Sequence, residues 1–124
     1  MVQEKKVKIL AVDDDPALIK MVDKILSGAG YDVTTTTDGL EAMVQVKKIQ
    51  PDLIVLDIMM PQINGYDVCR TLKFDSPYKD IPVLILTSRD QEIDPRIGQM
   101  MGIHYMQKPF KPETFLAEIK QMLK

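Results

Sequence analysis

Five polar side chains of the sequence could do chemistry together, because each follows a short run of mostly apolar residues. They are Asp13, Asp14, Asp57, Thr87 and Lys108. If folding gathers them, each pair of carboxylates at ~5 Å repels by roughly 3 kcal/mol at an effective dielectric of about 20. Such a cluster needs a cation, and oxygen ligands with room for water suit Mg²⁺. A carboxylate nucleophile, a metal ion, an ammonium group and a hydroxyl group together are typical of a phosphoryl-transfer site.

The composition is that of a water-soluble globular domain. The chain has 124 residues, of which 45% are hydrophobic and 27% charged, and this excludes a disordered, collagen-like or coiled-coil protein. The net charge of −2 gives no attraction to nucleic acid or to an anionic membrane, so we expect neither as a direct partner. A single cysteine, Cys69, cannot form an internal disulfide. The sequence shows no signal peptide and no apolar stretch near twenty residues, so we expect a cytoplasmic protein.

The elements that must position the five polar residues alternate along the chain, since an apolar run followed by a helical pattern occurs five times. Strands are predicted at residues 7–12, 31–37, 53–56, 82–86 and 105–107. The first helix is expected to start with Asp15 as N-cap and Pro16 in its first turn, and to stop at Gly28 and Gly30. The second helix should begin at Asp38 and Gly39.

The remaining helices follow from apolar residues at helical spacing. A third helix is predicted through Val68, Cys69 and Leu72, a fourth at residues 95–101, and a fifth from Pro112 onward. The predicted apolar faces of the first, second and fifth helices are Leu18, Val22, Ile25, Leu26 and Ala29; Leu40, Met43, Val46 and Ile49; and Phe115, Leu116, Ile119 and Leu123.

This alternation predicts an α/β fold, a doubly wound open sheet of five parallel strands, (βα)5, with helices on both faces. Five units are too few for a closed eight-stranded barrel. In open sheets of this kind the ligand site lies beyond the carboxyl ends of the strands, where the five polar residues occur. We expect one domain over residues 1–124, without an output domain, either as a free-standing protein or as a module of a longer one.

Four motifs, in matching order and spacing, make the chain resemble the receiver domains of response regulators, the CheY-like family. The motifs are residues 12–16 (VDDDP), 53–61 (LIVLDIMMP) with Gly65, 81–88 (IPVLILTS), and Tyr105 with 108–110 (KPF). The resemblance covers nearly the whole chain. It implies the flavodoxin-like strand order 2-1-3-4-5 and a role in phosphorelay signal transduction.

The resemblance also implies a chemical role for each matching residue. Asp57 would accept a phosphoryl group from the phosphohistidine of a histidine kinase or a histidine phosphotransfer protein. Asp13, Asp14, Asp57 and the backbone carbonyl of Met59 would hold Mg²⁺, with Mn²⁺ as an alternative ion. The protein would then phosphorylate itself and hydrolyse its own acyl phosphate, without being a conventional turnover enzyme.

By the same resemblance, Lys108 and Thr87 would act in phosphoryl transfer, and Thr87 and Tyr105 would act in switching. Lys108, ahead of a cis Pro109, would pair with the phosphoryl oxygens. Thr87 would move to donate a hydrogen bond to the phosphoryl group, and Tyr105 would turn inward behind it. The changed surface of the fourth helix, fifth strand and fifth helix would bind a downstream effector protein, and a phosphorylation-dependent homodimer is a further expectation.

Three other functions remain open from the residues alone. A receiver fold could serve as an interaction module without regulation by phosphorylation. A phosphatase with an aspartyl nucleophile could use the run from Asp13 to Asp15 on the first strand. A flavin-binding relative is disfavoured, because acidic residues in the first loop repel a phosphate group.

Overall fold

The computed structural model describes residues 6–57, 78, 80–87 and 103–123, and these form five strands and three helices. The elements are β1 (Lys8–Val12), α1 (Pro16–Gly28), β2 (Asp32–Thr36), α2 (Gly39–Ile49), β3 (Leu53–Asp57), β4 (Val83–Thr87), β5 (Ile103–Gln107) and α3 (Pro112–Met122). Helix α3 corresponds to the predicted fifth helix. The predicted third and fourth helices, with Val68, Cys69 and Leu72, lie outside the described residues, as does Met59.

The five strands form one sheet in which every pairing is parallel and the order is β2-β1-β3-β4-β5. This confirms the predicted open sheet and the strand order implied by the resemblance. In register, Val12 pairs with Leu56, and Asp57 pairs with Leu86. The carboxyl ends of β1, β3 and β4 therefore meet at one edge of the sheet, where the polar residues follow.

Two hydrophobic clusters cover the two faces of the sheet, because successive strand residues point to opposite sides. The α2-side cluster combines Leu10, Ile54 and Ile85 of the strands with Ala42 and Val46 of α2. The α1/α3-side cluster joins strand residues to the two other helices and comprises Ile9, Ala11, Ile19, Val22, Leu26, Leu53, Val55, Leu84, Leu86, Phe115 and Ile119. Each fully buried aliphatic side chain contributes about 1.5–3 kcal/mol. The central strands are thus buried on both faces, as their unbroken apolar runs predict.

Helix α1 begins as the sequence predicts. The Asp15 side chain accepts hydrogen bonds from the backbone N–H of Ala17 at 3.0 Å and of Leu18 at 3.5 Å, and Pro16 occupies the first turn. These bonds satisfy N–H groups that have no partner within the helix. The helix ends at Gly28, and Gly30 adopts a left-handed φ of 96° that favours glycine.

The predicted apolar face of α2 is wrong at one residue. Leu40 is 53% exposed, whereas the smaller Ala42 is buried against the sheet together with Val46. Met43 and Ile49 pack at the edge of the same cluster. The helix is therefore rotated so that Ala42 faces the strands and Leu40 faces solvent.

Several element boundaries also differ from the prediction. Strand β5 begins at Ile103, two residues earlier than predicted, because Ile103 and His104 continue the ladder with Val83 and Leu84 of β4. On α1, the predicted apolar residue Ala29 is exposed and serves as the C-cap.

Within the described ranges, the helices are too short and too polar to cross a membrane.

Candidate functional site

Two neighbouring strands carry three carboxylates to the same edge of the sheet. Asp57 is the last residue of β3, and Asp13 follows directly on β1. Carboxylate oxygens of Asp13, Asp14 and Asp57 all lie within 4.8 Å of one another. Asp13 and Asp57 are only 1% and 6% exposed, whereas Asp14 is open to solvent. This acidic cluster offers one accessible and two buried oxygen ligands to a small divalent cation.

Asp13 is held in place by both chain segments around it. Its Oδ1 accepts a hydrogen bond from the Asp15 N–H at 2.9 Å, and its own N–H donates to the Thr36 carbonyl of β2 at 3.2 Å. Helix α1 starts three residues after Asp13, so the positive end of the helix dipole lies beside the carboxylate. These contacts stabilise a buried negative charge, and they give Asp15 a second role beside capping.

Lys108 supplies the positive charge of the site. Its Nζ lies 2.9 Å from Asp13 Oδ2 and 3.3 Å from Asp57 Oδ1, so one ammonium group bridges the two buried carboxylates. Burial lowers the pKa of the Lys108 ammonium, but the hydrogen bond and charge of Asp13, together with Asp57, outweigh it and raise the pKa above the usual 10.5. Lys108 is therefore charged at neutral pH.

The backbone at Lys108 is fixed by β4. The Lys108 N–H donates to the Thr87 carbonyl at 2.6 Å, and the peptide bond between Lys108 and Pro109 is cis, as the resemblance implies. The side chain of Lys108 can reach Asp13 and Asp57 because it leaves the end of β5 toward the face that α1 and α3 cover.

Thr87 and Tyr105 lie on the α2 side of the sheet, opposite to the α1/α3 side on which Lys108 lies. Thr87, the last residue of β4, is 3% exposed, and strand alternation places it on the same face as Ile85. Tyr105 is opposite Ile85 in the ladder and packs against the α2-side cluster. The site therefore has a lysine on one side of the strand ends and a threonine with a tyrosine on the other.

The structure thus brings Asp13, Asp14, Asp57 and Lys108 together, places Thr87 at the neighbouring strand end, and leaves Met59 outside the described residues. The contact between Lys108 and Asp13 was not predicted from the sequence. These residues are 95 positions apart, and no local pattern relates them. One sequence signal did indicate the side of the sheet on which Asp57 lies. Strand alternation places Asp57 on the same face of β3 as Leu53 and Val55, which is the α1/α3 side.

Comparison with known proteins gives a consistent family. Residues 9–120 match the family described as response regulator receiver domain. The DNA-binding response regulator MtrA of Mycolicibacterium smegmatis is 40% identical over 118 residues, covering 94% of this chain and 50% of that protein. The chain spans about half the length of the curated relatives that it matches.

Two solved structures have the same fold over nearly their whole length. The chemotaxis protein CheY4 of Vibrio cholerae superposes with a TM-score of 0.86 at 34% identity, covering 96% of this chain and all of that one. The BeF3-activated N-terminal receiver domain of Klebsiella pneumoniae RstA gives a TM-score of 0.83 at 30% identity, covering 94% and 98% of the two chains. The chain belongs to the response regulator receiver domain family, and so to the proteins of two-component phosphorelay signalling.

Proposed function

We propose that this receiver domain accepts a phosphoryl group on Asp57 from the phosphohistidine of a histidine kinase or a histidine phosphotransfer protein, with Mg²⁺ bound. One observation carries the proposal: the buried Asp57 carboxylate contacts the Lys108 ammonium at 3.3 Å and shares a cluster with Asp13 and Asp14. The carboxylate can act as a nucleophile, and the surrounding charges can hold a phosphoryl group.

The three carboxylates fit a bound Mg²⁺. They are hard oxygen donors, the kind that Mg²⁺ prefers, and they lie within 4.8 Å of one another. Asp13, Asp14 and Asp57 would hold the ion, with the Met59 carbonyl as a further ligand and Mn²⁺ as an alternative metal. The bound ion supplies positive charge that neutralises the phosphoryl oxygens.

In the proposed reaction an oxygen of Asp57 attacks phosphorus and forms a P–O bond while the P–N bond of phosphohistidine breaks. The electron pair of the broken bond leaves with the imidazole, and the product is an acyl phosphate on Asp57. Hydrolysis reverses the modification: water attacks phosphorus, the acyl phosphate P–O bond breaks, and inorganic phosphate leaves. The protein itself is phosphorylated and later returned to its unmodified form, so we do not class it as a turnover enzyme.

The positions of the side chains suggest their parts in this step. Lys108 approaches Asp57 from the α1/α3 side and would pair with one phosphoryl oxygen. Thr87 lies at the adjacent strand end on the α2 side and would donate its hydroxyl hydrogen to another. Tyr105, on the same face as Thr87, would follow that movement and change the surface around β5.

The proposed output is a protein interaction at the surface of β5, α3 and the predicted fourth helix, with a phosphorylation-dependent homodimer as one form of it. MtrA is named as a DNA-binding regulator, but this chain carries a net charge of −2 and matches only half of MtrA's length. We therefore propose no direct contact of residues 1–124 with nucleic acid or membrane. The proposed location is the cytoplasm.

Intact mass spectrometry tests the phosphoryl transfer. The chain is incubated with acetyl phosphate and Mg²⁺, and we expect the mass of one phosphoryl group to be added to wild type and not to Asp57→Asn. Peptide mapping after borohydride reduction should place the modification at Asp57. A wild-type protein without added mass would instead favour the interaction module that is independent of phosphorylation.

The aspartyl phosphatase with Asp13 as its nucleophile is less compatible with the geometry. Both oxygens of Asp13 are engaged, Oδ1 by the Asp15 amide and Oδ2 by the Lys108 ammonium. We therefore expect no hydrolysis of simple phosphomonoesters. Modification at Asp13 in the mapping experiment would reverse this assignment.

A further inference from the structure

Lys108 has a long flexible side chain, so the position of its ammonium group depends on how firmly its backbone is held. The segment from Lys108 to Lys111 connects β5 to α3 without belonging to either. On one side of this connection, the Lys108 N–H donates to the Thr87 carbonyl at 2.6 Å. At the other end, the Phe115 N–H donates to the Lys111 carbonyl at 3.0 Å. Between these two backbone bonds, the direction of the Lys108 side chain depends on side-chain contacts of the connection.

The side-chain contact of the connection is aromatic. The ring of Phe110 stacks on the ring of Phe115, with centroids 4.9 Å apart and planes inclined by 26°. Phe115 is fully buried in α3 and belongs to the α1/α3-side cluster with Leu53 and Val55 of β3. The ring stack therefore ties the connection to the same strand that carries Asp57.

We propose that Phe110 is a positioning residue for phosphoryl transfer: by stacking on Phe115, it holds Lys108 against Asp13 and Asp57. The inference rests on the proposed function for its kinetic consequence, whereas the coupling to the ion pairs can be measured without it. Loss of the ring would let the Lys108 ammonium move away from Asp57, and displacements of about 1 Å in such sites lower rates by up to about 100-fold.

The kinetic test compares three variants with wild type, using the rate of phosphoryl uptake from acetyl phosphate at saturating Mg²⁺. Phe110→Ala should be about tenfold slower, and Phe110→Tyr, which keeps the ring, should restore the rate to within about twofold. Leu116→Ala is the matched control, since Leu116 is a partly buried apolar residue of the same cluster on α3 and is not part of the ring stack. It should lose stability but keep its rate within about twofold. Equal slowing by Leu116→Ala would overturn the proposal.

A double-mutant cycle separates positioning from general damage. In a Lys108→Met background, Phe110→Ala should change the rate by less than about twofold, because there is no ammonium group left to position. The same tenfold slowing in both backgrounds would contradict the proposal. Phe110→Leu, which keeps an apolar side chain without the ring, replaces the alanine variant if that variant does not fold.

A second cycle uses urea unfolding without any phosphodonor. If Phe110 holds the ion pairs together, the destabilisation caused by Lys108→Met should fall by at least about half in the Phe110→Ala background. Additive effects would overturn the positioning role even if the wild-type protein is phosphorylated. Conversely, a wild type that takes up no phosphoryl group refutes the proposed function, and the unfolding cycle then decides the positioning role alone.

Discussion

Replacement of Lys108 by methionine tests the electrostatic account of the site. At an effective dielectric of about 20, ion pairs at 2.9 Å and 3.3 Å have gross attractions of about 6 and 5 kcal/mol. Desolvation of the ammonium and of the buried carboxylates offsets most of this sum. Removal of one partner of a buried pair costs about 3–5 kcal/mol, because the remaining charge stays buried without compensation. About a quarter of the Lys108 side chain is exposed, so we expect a loss near the lower end, about 3 kcal/mol.

The measurement is the free energy of unfolding in urea near neutral pH, with a chelator present so that no divalent cation replaces the lysine. Lys111→Met is the matched control, since Lys111 is exposed and its side chain makes no capping bond to α3. It should change the free energy by no more than about 0.5 kcal/mol. If Lys108→Met is no less stable than Lys111→Met, the two buried carboxylates tolerate each other without the lysine, and the charge argument for this site is wrong.

Three other predictions concern pH, the metal ion and the first helix. Because Asp13 and Asp57 raise the pKa of Lys108 above 10.5 despite burial, the stability from its charge is complete below that pH and is lost as pH rises through the higher folded pKa. The difference in unfolding free energy between wild type and Lys108→Met should thus stay constant from about pH 7 to about pH 9 and shrink only above about 10.5; a decline near pH 8 would contradict it. Mg²⁺ at ten times its dissociation constant should stabilise wild type by about 1.4 kcal/mol, and thermal unfolding of Asp14→Asn should show no such gain. Asp15→Ala should lower stability by about 1 kcal/mol through loss of the α1 cap, whereas Asp15→Ser should stay within a few tenths in the same urea assay, and equal losses would exclude capping as the cause.

The strands and the first helix could be predicted because their signals are local. An unbroken apolar run such as Leu53 to Leu56 is compatible only with burial on both faces, and Asp15 with Pro16 marks a helix start through backbone chemistry. The chain order of parallel strands then places their polar terminators at one edge. That rule predicts that Asp13, Asp57 and Lys108 gather at one end of the sheet, but it does not predict that Lys108 contacts Asp13.

Other features depend on contacts that no local pattern contains. The rotation of α2 is one: its spacing suits either Leu40 or Ala42 on the inner face, and packing on the sheet chooses the smaller residue. The start of β5 at Ile103 is another, since it is set by pairing with Val83. The different surroundings of Asp13 and Asp14 are a third. Neighbouring residues point in different directions, and of these two carboxylates it is Asp13 that forms the ion pair with Lys108.

The bridge between Asp13 and Lys108 joins the first and last strands of the chain across 95 residues. A nascent polypeptide that has left the ribosome only as far as β4 contains Asp57 and its acidic neighbours but lacks the Lys108 ammonium that neutralises them. The site with both charges is therefore complete only once β5 and the Lys108 segment have emerged and docked on β4. A copy cut between β4 and β5 would keep Asp13 and Asp57 buried without the lysine that neutralises them, and it would be less stable for that reason.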